Sequence, residues 1–549
     1  MSDSSSDPRR VSRFVDSALL GVLALVLRLP AFFSERHLTF DDGVFASSAL
    51  AMREGGLPFR DVFSSQGPLF LPLVALGDLV GLHKLNSPRV LAVISGIAIV
   101  VGIYWTALQM TDRLGAVLAA ILAATSGSLI WVTGPLAADG PALAFAVLAV
   151  FLSLRQRNRP SYINAIFLGL AVGATLSTKA MEAPILVVVA LVLLTPLLAA
   201  ARQHRLATTA LLQGGMVALS AAALFALISA PFGFAAVWDQ SFVYRTAAST
   251  NRDIPANAAK LFSTLWDRDL VLLLFACVTL GAVLWTRFHP SPQQQEDLSG
   301  VDPSPGTTPS AGLLMAAWTI SSALWLIAVV SPLWRPHVSA MIPPLALLIG
   351  IYRPPIRVTL IAGLISVPLL FWQLNEVLIP GPYSGSEAQV VEALRALPEG
   401  AWVLSDEPGL AWRAGKRTSD DLVDPSMLRV QQGRYTESSL AEAASDPRVC
   451  AVVIRSDQRF GNFPGLPEAL ANQGFTVTQE SSPLLGSSAF SSAPTATDSA
   501  GRSASTRSIR WIKDALITPN MIPGTAIPES FRANPSTIAV IRPATAARS

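Results

Sequence analysis

A series of long apolar runs constrains this chain more than any other feature. FVDSALLGVLALVLRLPAFF (14–33) is the first. Similar runs follow at 88–110, 114–133, 139–154, 161–178, 183–200, 206–230, 269–287, 311–330, 338–352 and 356–378. A helix of about 20 apolar residues crosses the hydrocarbon core of a bilayer and satisfies its own backbone polar groups on the way. Charged residues make up 14% of the chain, well below the roughly 25% of soluble domains. Mean hydropathy is +0.47. The pattern predicts a polytopic α-helical membrane protein with about 11 transmembrane helices. The fourth and tenth runs are short and fit tilted spans or spans covered by neighbours.

Arginine placement orients those spans. Arg9, Arg10 and Arg13 precede the first, Arg113 follows the second, RQRNR (155–159) the fourth and RQHR (202–205) the sixth. Arg287 ends the eighth, and YRPPIR (352–357) joins the last two. If the spans alternate, all of these fall on one side. Short Arg-rich loops stay cytoplasmic, so the reading is N-in/C-out in a plasma membrane. The net charge of +3 is spent on orientation, and nothing points to nucleic acid. No cleavable leader is expected, because the start MSDSSSDPRRVSR is polar and the run after it lacks a small-residue cleavage site. Cys277 and Cys450 have no spacing for a disulfide framework or a metal site. Arg outnumbers Lys and Ala is abundant, which suggests a GC-rich bacterial source.

Residues 1–379 therefore read as a transmembrane domain, with an outer loop at 34–87. A second outer loop, 231–268, has room for a short amphipathic helix. The inner loop 288–310 is rich in Pro, Ser and Gln and reads as flexible. From 380 to 484 the pattern changes to a small extracytoplasmic α/β domain. Its elements are a helix over 385–399, strands AWVLSD (401–406) and VCAVVIRS (449–456), and a helix after Thr436 as N-cap. LPEALANQG and FTVTQE close it with a helix and a strand. Residues 485–549 are low-complexity, Ser/Ala/Thr/Pro-rich, and read as a disordered tail.

The outer loop 34–87 is too long for a simple connector. It opens with TFDDGVFA (39–46), which places Asp41 and Asp42 side by side where the first apolar run ends. Val44, Phe45, Ala49 and Met52 continue at helical spacing until Gly55-Gly56. An Asp at a helix start satisfies free N–H groups, so either acid suits a cap. A cap needs only one carboxylate, and a second adds like-charge repulsion beside a low-dielectric region. Paired acids at a membrane lip equally suit a base and its orienting partner. Asp139, in GPLAADGPALAF, stands at the outer mouth of the fourth run on the same side, where it too suits an N-cap before Pro141.

DDGVFASSALAMREGGLPFRDVFSSQGPLF resembles the first outer loop of the GT-C glycosyltransferases, in particular the dolichyl-phosphate-mannose protein mannosyltransferase-like (family 39-type) group. AADGPALAF resembles that group's second acidic motif, LSTKAMEAP (176–184) its Lys-bearing motif, and RPHVSAMIPPLALLIG (335–350) its late His/Pro-Pro motif. SDEPGLAWRAGKRTSDDLVDPSMLRVQQG is similar to the outer domain of actinobacterial members. The resemblance implies a glycosyltransferase that moves a sugar from a polyprenyl-phosphate donor to an extracytoplasmic glycan, lipid or protein acceptor. By position, Asp41 matches the family's catalytic acid, Asp42 its partner and Asp139 the acid of the second motif. Two departures stand out: Gln66-Gly67-Pro68 replaces Lys-Pro-Pro, and His337 is the one His of a motif that often carries two.

Such a reaction needs a general base for the acceptor hydroxyl and cations for the departing phosphate. Asp41 fills the first role, with Asp42 or Asp139 orienting the acceptor or stabilising positive charge at the sugar. Lys179, Arg60, Arg335 and His337 are the candidates for the second. Each also has a plain alternative. Lys179 suits an interfacial snorkel, Arg60 a surface pair with Asp61, and His337 an interfacial residue. Lys84 and Arg89 suit interfacial anchors, and Trp402 and Trp412 suit either core packing or stacking on sugar. No cofactor is required, and a divalent metal is compatible but not indicated. The rival reading is an ion-coupled transporter or flippase of lipid-linked sugars. Against it, the acids stand at one lip, and no pair of Gly/Pro-broken spans is evident in corresponding halves.

Overall fold

The computed structural model describes residues 8–202, 207–248, 253–288, 310–378, 383, 385–477 and 538–541. The chain divides into two units at Pro382/Tyr383. The first unit is helical. Its helices are α1 (Pro8–Val26), α2 (Leu29–Phe33), α3 (Phe40–Arg53), α4 (Phe70–Val80), α5 (Val90–Ala107), α6 (Arg113–Thr125) and α7 (Gly127–Thr133). Then come α8 (Asp139–Asn158), α9 (Tyr162–Thr178), α10 (Ile185–Arg202), α11 (Thr208–Ser229), α12 (Phe234–Trp238) and α13 (Tyr244–Ala248). The last are α14 (Ile254–Arg268), α15 (Leu270–Phe288), α16 (Ala311–Ala328), α17 (Ile342–Ile351) and α18 (Ile356–Leu378).

Among the described residues, each apolar run of the sequence is largely helical. Among the described residues, six helices are long and apolar enough to cross a membrane, or up to eight if each of two bent pairs counts as one span. One pair is α6–α7, bent by 62° at Ser126, and the other is α14–α15, bent by 100° at Asp269. The run 114–133 is therefore not continuous. Ser126 turns extended and caps α7 with its own hydroxyl. The two breaks meet: Asp269 accepts from the Ser126 hydroxyl at 2.5 Å and from the Ser128 hydroxyl. A Cβ on Gly127 would stand 2.4 Å from the Arg268 carbonyl, so only glycine lets the two corners touch. The inner loop 288–310 lies outside the described residues except at its ends.

Helices pack where side chains are smallest. Gly169 and Gly173 form a GxxxG face on α9, and α11 lies against it. Gly115 of α6 and Gly350 of α17 make a second backbone-to-backbone approach. Outward-facing residues are apolar instead, including Leu219 and Leu227 on α11 and Leu364, Val367 and Phe371 on α18. That is the surface lipid asks for and water does not. Helix α5, about 27 Å long at 1.5 Å per residue, has charge clusters at both ends. Arg89 precedes it. At its far end, Tyr104 donates to Asp16 at 2.8 Å and Arg113 pairs with Asp16 at 2.6 Å.

The second unit is α/β. Helix α19 (Gly385–Arg395) precedes β1 (Trp402–Ser405). Helices α20 (Pro408–Arg413), α21 (Met427–Gln431) and α22 (Glu437–Ala444) cross over to β2 (Val449–Ile454), and α23 (Leu466–Asn472) leads to β3 (Thr476–Val477). β1 and β2 are parallel, with Val403 opposite Ala451 and Ser405 opposite Val453. Alternate residues feed two apolar layers. Val403, Ala451 and Val453 pack with Val390, Leu394 and Leu410, while Leu404, Val452 and Ile454 pack with Leu440, Leu466 and Phe475. Thr436 caps α22 as expected, in a reciprocal box with Ser439.

The expected disordered tail 485–549 departs from that reading at one place. Ile538–Ile541 forms β4 between β2 and β3, antiparallel to both. Its apolar, β-branched-rich sequence IAVI suits a central strand. The rest of that segment lies outside the described residues. The tryptophans do not offer open faces: the Trp402 ring lies under Arg417 and Arg448, and Trp412 is fully buried beside Arg413.

Two predictions follow from this packing. A Cβ at Gly169 would meet the Ser220 hydroxyl at 2.0 Å and the Val217 carbonyl at 2.3 Å, whereas Gly215 has open space. Gly169→Ala should cost about 1–3 kcal/mol of stability, and Gly215→Ala should gain up to about 1 kcal/mol. Thermal unfolding in detergent reads both. In the second unit, Asp406 is buried and accepts backbone N–H bonds from Arg455 and Ser456 at 2.8–3.0 Å. Burial outweighs those donors and pushes its carboxyl up to about 7. The folded unit then keeps a proton that the unfolded chain loses near pH 4. The contribution of Asp406 to stability should therefore fall as pH rises from about 4 towards 7. Asp406→Asn should remove that slope in unfolding measured across this range.

Candidate active site

The site begins where α3 starts. Thr39, not either aspartate, is the N-cap, and its hydroxyl accepts from the Asp42 amide at 3.1 Å. That corrects the capping role considered for Asp41 and Asp42. Both sit in the first turn, where their charge suits the helix N-terminus. They differ in surroundings. Asp42 is fully buried, whereas Asp41 beside it is half-buried.

Asp42 faces Arg89 in a two-pronged ion pair, with both side chains 0% exposed. Nε of Arg89 donates to Oδ1 at 3.1 Å, and Nη2 donates to Oδ2. The rest of the guanidinium donates to the carbonyls of Ala31 (2.8 Å), Ser34 (3.0 Å) and Arg36 (2.7 Å). Asp42 also accepts from the amides of Leu38 (2.9 Å) and Leu136 (3.0 Å). Arg89 is thus no interfacial anchor. It gathers the turn after α2, the start of α3 and the segment before α8.

That last segment delivers Asp139, the first residue of α8, buried at 1% exposure. Lys179, the residue after α9, donates to its Oδ2 at 2.6 Å. Nδ1 of His337 stands 3.1 Å from Asp139 Oδ1 and 3.3 Å from Lys179 Nζ. It donates to the first or accepts from the second according to its tautomer. The ammonium and carboxylate neutralise each other in a water-poor place, where such a pair persists only with further hydrogen bonds. Glu182 is the member that sequence reasoning missed. It lies one tight turn beyond Lys179, is 2% exposed, and stands within electrostatic reach of Asp139 and Lys179. Its signal was available in the motif LSTKAMEAP.

The second half of the outer loop is laced to this cluster. Gly67 and Leu69 donate to the carbonyls of Thr178 (3.1 Å) and Ser177 (2.8 Å), just before Lys179. A Cβ on Gly67 would stand 2.2 Å from the Ser177 carbonyl, so the glycine of Gln66-Gly67-Pro68 is what permits the approach. On its other side, the loop binds the segment joining α12 and α13. Gln240 bonds Ser64 N and the Phe59 carbonyl, and Ser241 donates to the Gln66 carbonyl at 2.8 Å. Phe59 takes a left-handed backbone (φ +65°) to make this turn. Arg245 donates through Nε to the Ser65 carbonyl at 2.9 Å and lies within electrostatic reach of His337. Among the described residues nothing accepts from its two terminal nitrogens.

The structure thus brings together Asp139, Lys179 and His337, and ties Asp42 to their approach. Lys179 is engaged by Asp139 and is not a free cation. Arg335 forms an exposed pair with Asp267 at 2.8 Å, and Arg60 is exposed without a described side-chain partner. Asp61 accepts from the Leu57 amide instead of pairing with Arg60. Elsewhere in the loop, Asp78 binds Arg53 and His83. Among the described residues, no three His, Cys, Asp or Glu side chains converge as a metal site would require.

No family model matches the chain, and no curated protein sequence matches it significantly. Solved structures do share its architecture. The protein ArnT from Cupriavidus metallidurans in the apo state is 13% identical, with 86% of this chain and 96% of that one covered at a TM-score of 0.56. The same protein bound to undecaprenyl phosphate gives 13% identity, coverage of 81% and 93%, and a TM-score of 0.51. An oligosaccharyltransferase from Archaeoglobus fulgidus tethered to an acceptor peptide aligns at 12% identity over 86% of this chain and 73% of that one, with a TM-score of 0.48. The likeness to ArnT is one of fold: the first unit and the chain as a whole follow the architecture of that protein at 13% identity.

The ion pair generates a testable expectation. Arg89→Ala leaves Asp42 buried and unpaired and should cost about 3–5 kcal/mol, whereas the double change Arg89→Leu with Asp42→Leu should cost less than either single loss of charge. Arg89→Lys should not restore the pair, because an ammonium lacks the forked geometry. Thermal unfolding in detergent of these three variants, with Asp42→Leu as the other single loss, checks this.

Proposed function

We propose that this protein is an integral-membrane glycosyltransferase, moving a sugar from a polyprenyl-phosphate donor to an acceptor on the outer side of a plasma membrane. The observation that carries the reading is the physical link between two acidic centres. Asp42 binds Arg89 and Leu136, so Asp41 and the Asp139–Lys179–His337 cluster are built on one scaffold. The GT-C fold supports it, as does ArnT, a protein of that fold captured with undecaprenyl phosphate. The sequence motifs point the same way.

In this reading Asp41 is the general base. It takes the proton of the acceptor hydroxyl as that oxygen attacks the anomeric carbon. The bond from that carbon to the phosphate oxygen breaks, and polyprenyl phosphate leaves with the electron pair. The charge growing on the phosphate needs cations. Arg245 is the better candidate than Lys179, because its terminal nitrogens have no described acceptor whereas Lys179 is bound by Asp139. Arg60, exposed on the outer loop, is a second source of charge. Asp42 is a positioning residue that fixes the turn carrying Asp41, and Lys179 with His337 orients Asp139.

The proposed topology keeps the N-terminus and the Asp16–Arg113 end of α5 inside, and the second unit outside with about 11 spans. The sequence resemblance extends the reading to actinobacterial family members. The rival transporter reading draws on the bent pairs α6–α7 and α14–α15. At their junction, however, Asp269 is already held by the hydroxyls of Ser126 and Ser128.

The test is sugar transfer by membranes containing the protein, supplied with labelled polyprenyl-phosphate sugars and an envelope extract as acceptor. Asp41→Asn should lower transfer by roughly 10²–10⁴-fold in a variant that thermal unfolding shows to be folded. Equal transfer by wild type and variant would remove Asp41 from the chemistry.

A further inference from the structure

The Asp139–Lys179–His337 cluster has more acid than it needs. Lys179 answers Asp139 at 2.6 Å. Glu182 adds a second carboxyl group to the same buried place. Its backbone is tied down, since its amide donates to the Lys179 carbonyl at 3.3 Å and its turn packs against α8, the helix that begins with Asp139. Its carboxyl group has no hydrogen-bonding partner among the described residues. Burial of such a group is costly unless something donates to it.

A second polar group in the same neighbourhood is also unmatched. Gln66 is 6% exposed. One end of its amide reaches the Ser65 hydroxyl at 3.3 Å, and the other end is buried without a partner. Gln66 precedes Gly67, which is bonded to Thr178, the residue before Lys179. The Ser177 hydroxyl on this seam is buried and unmatched as well. Two buried polar atoms without partners, one on Gln66 and one on Ser177, and the carboxyl group of Glu182 thus belong to segments that meet at one tight turn. Together they offer a carboxyl, an amide and a hydroxyl. That set matches a ligand with several hydroxyl groups spaced around a ring, which can donate to the carboxyl and both donate to and accept from the others. It matches a phosphate poorly, because Glu182 would repel it.

We propose that Glu182 and Gln66 are specificity-determining residues that hold hydroxyl groups of the transferred sugar, apart from the cations that meet its phosphate. This rests on the reading of the protein as a polyprenyl-phosphate-sugar enzyme and names the sugar side of that site. A ligand lacking the ring hydroxyls should lose these bonds, since a site built to pair buried polar groups rejects the analogue that leaves them empty.

The experiment compares binding of undecaprenyl phosphate with binding of a panel of undecaprenyl-phosphate hexoses and pentoses, using the full-length protein in detergent. Wild type should bind at least one sugar-bearing lipid more tightly than the bare lipid phosphate. Glu182→Gln and Gln66→Ala should each weaken that sugar-bearing lipid about tenfold or alter which sugar is preferred. Neither should change binding of bare undecaprenyl phosphate by more than about twofold. Equal losses for both lipids, or no change in either, would overturn the inference while leaving the enzyme reading in place. If wild type binds neither lipid, the enzyme reading fails and the inference fails with it. Should Glu182→Gln not fold, Gln66→Ala and Gln66→Glu give the same comparison from the opposite side of the seam.

Discussion

The buried ion pair between Arg89 and Asp42 is the interaction on which the outer end of this molecule depends. Each partner is sealed from solvent, so each charge is tolerable only because the other is there. The pair also uses its spare hydrogen-bonding capacity. Arg89 fixes three carbonyls of the turn at 31–36, and Asp42 fixes the amides of Leu38 and Leu136. Chain segments far apart in sequence are thereby held at one point. The aspartate next door is left half-buried on a rigid first turn. A reactive group benefits from such an arrangement, because orientation is established before a substrate arrives.

A second set of contacts completes the frame. The loop 57–69 is bound to the end of α9 on one side and to the segment joining α12 and α13 on the other. Both bindings go through the backbone, which explains why Gly67 occupies the tightest point. Departing from a Lys-Pro-Pro pattern at this loop exchanges a cation for a neutral amide. Arg245 brings a guanidinium to the same loop from a different helix.

Much of this was legible in the sequence, and the misses have physical causes. The apolar runs announced their helices because lipid-facing segments need no alternation. Strands β1 and β2 and the Thr436 cap were readable from local chemistry alone. The cap of α3 stays open in the sequence because Thr39, Asp41 and Asp42 all suit that role locally. The choice fell to Thr39 because Asp42 is claimed by Arg89, 47 positions away. Arg89 and Lys179 likewise looked like interfacial cations, since nothing local reveals a buried partner. The bends at Ser126 and Asp269 stayed hidden because each depends on the other corner for its hydrogen bonds. Asp139 was recognised as an acid at the same lip, yet its bonding to Lys179 and His337 could emerge only from tertiary packing.

The central claim is that Asp41 and the Asp139 cluster serve one ligand. An experimental structure with a polyprenyl-phosphate sugar bound tests it most directly. The account predicts the anomeric carbon on the Asp41 side of the cluster, the phosphate turned towards Arg245, and the Arg89–Asp42 pair intact. A headgroup bound at the Asp16–Arg113 end of α5, or an Asp42 released from Arg89 to touch the ligand, would contradict it.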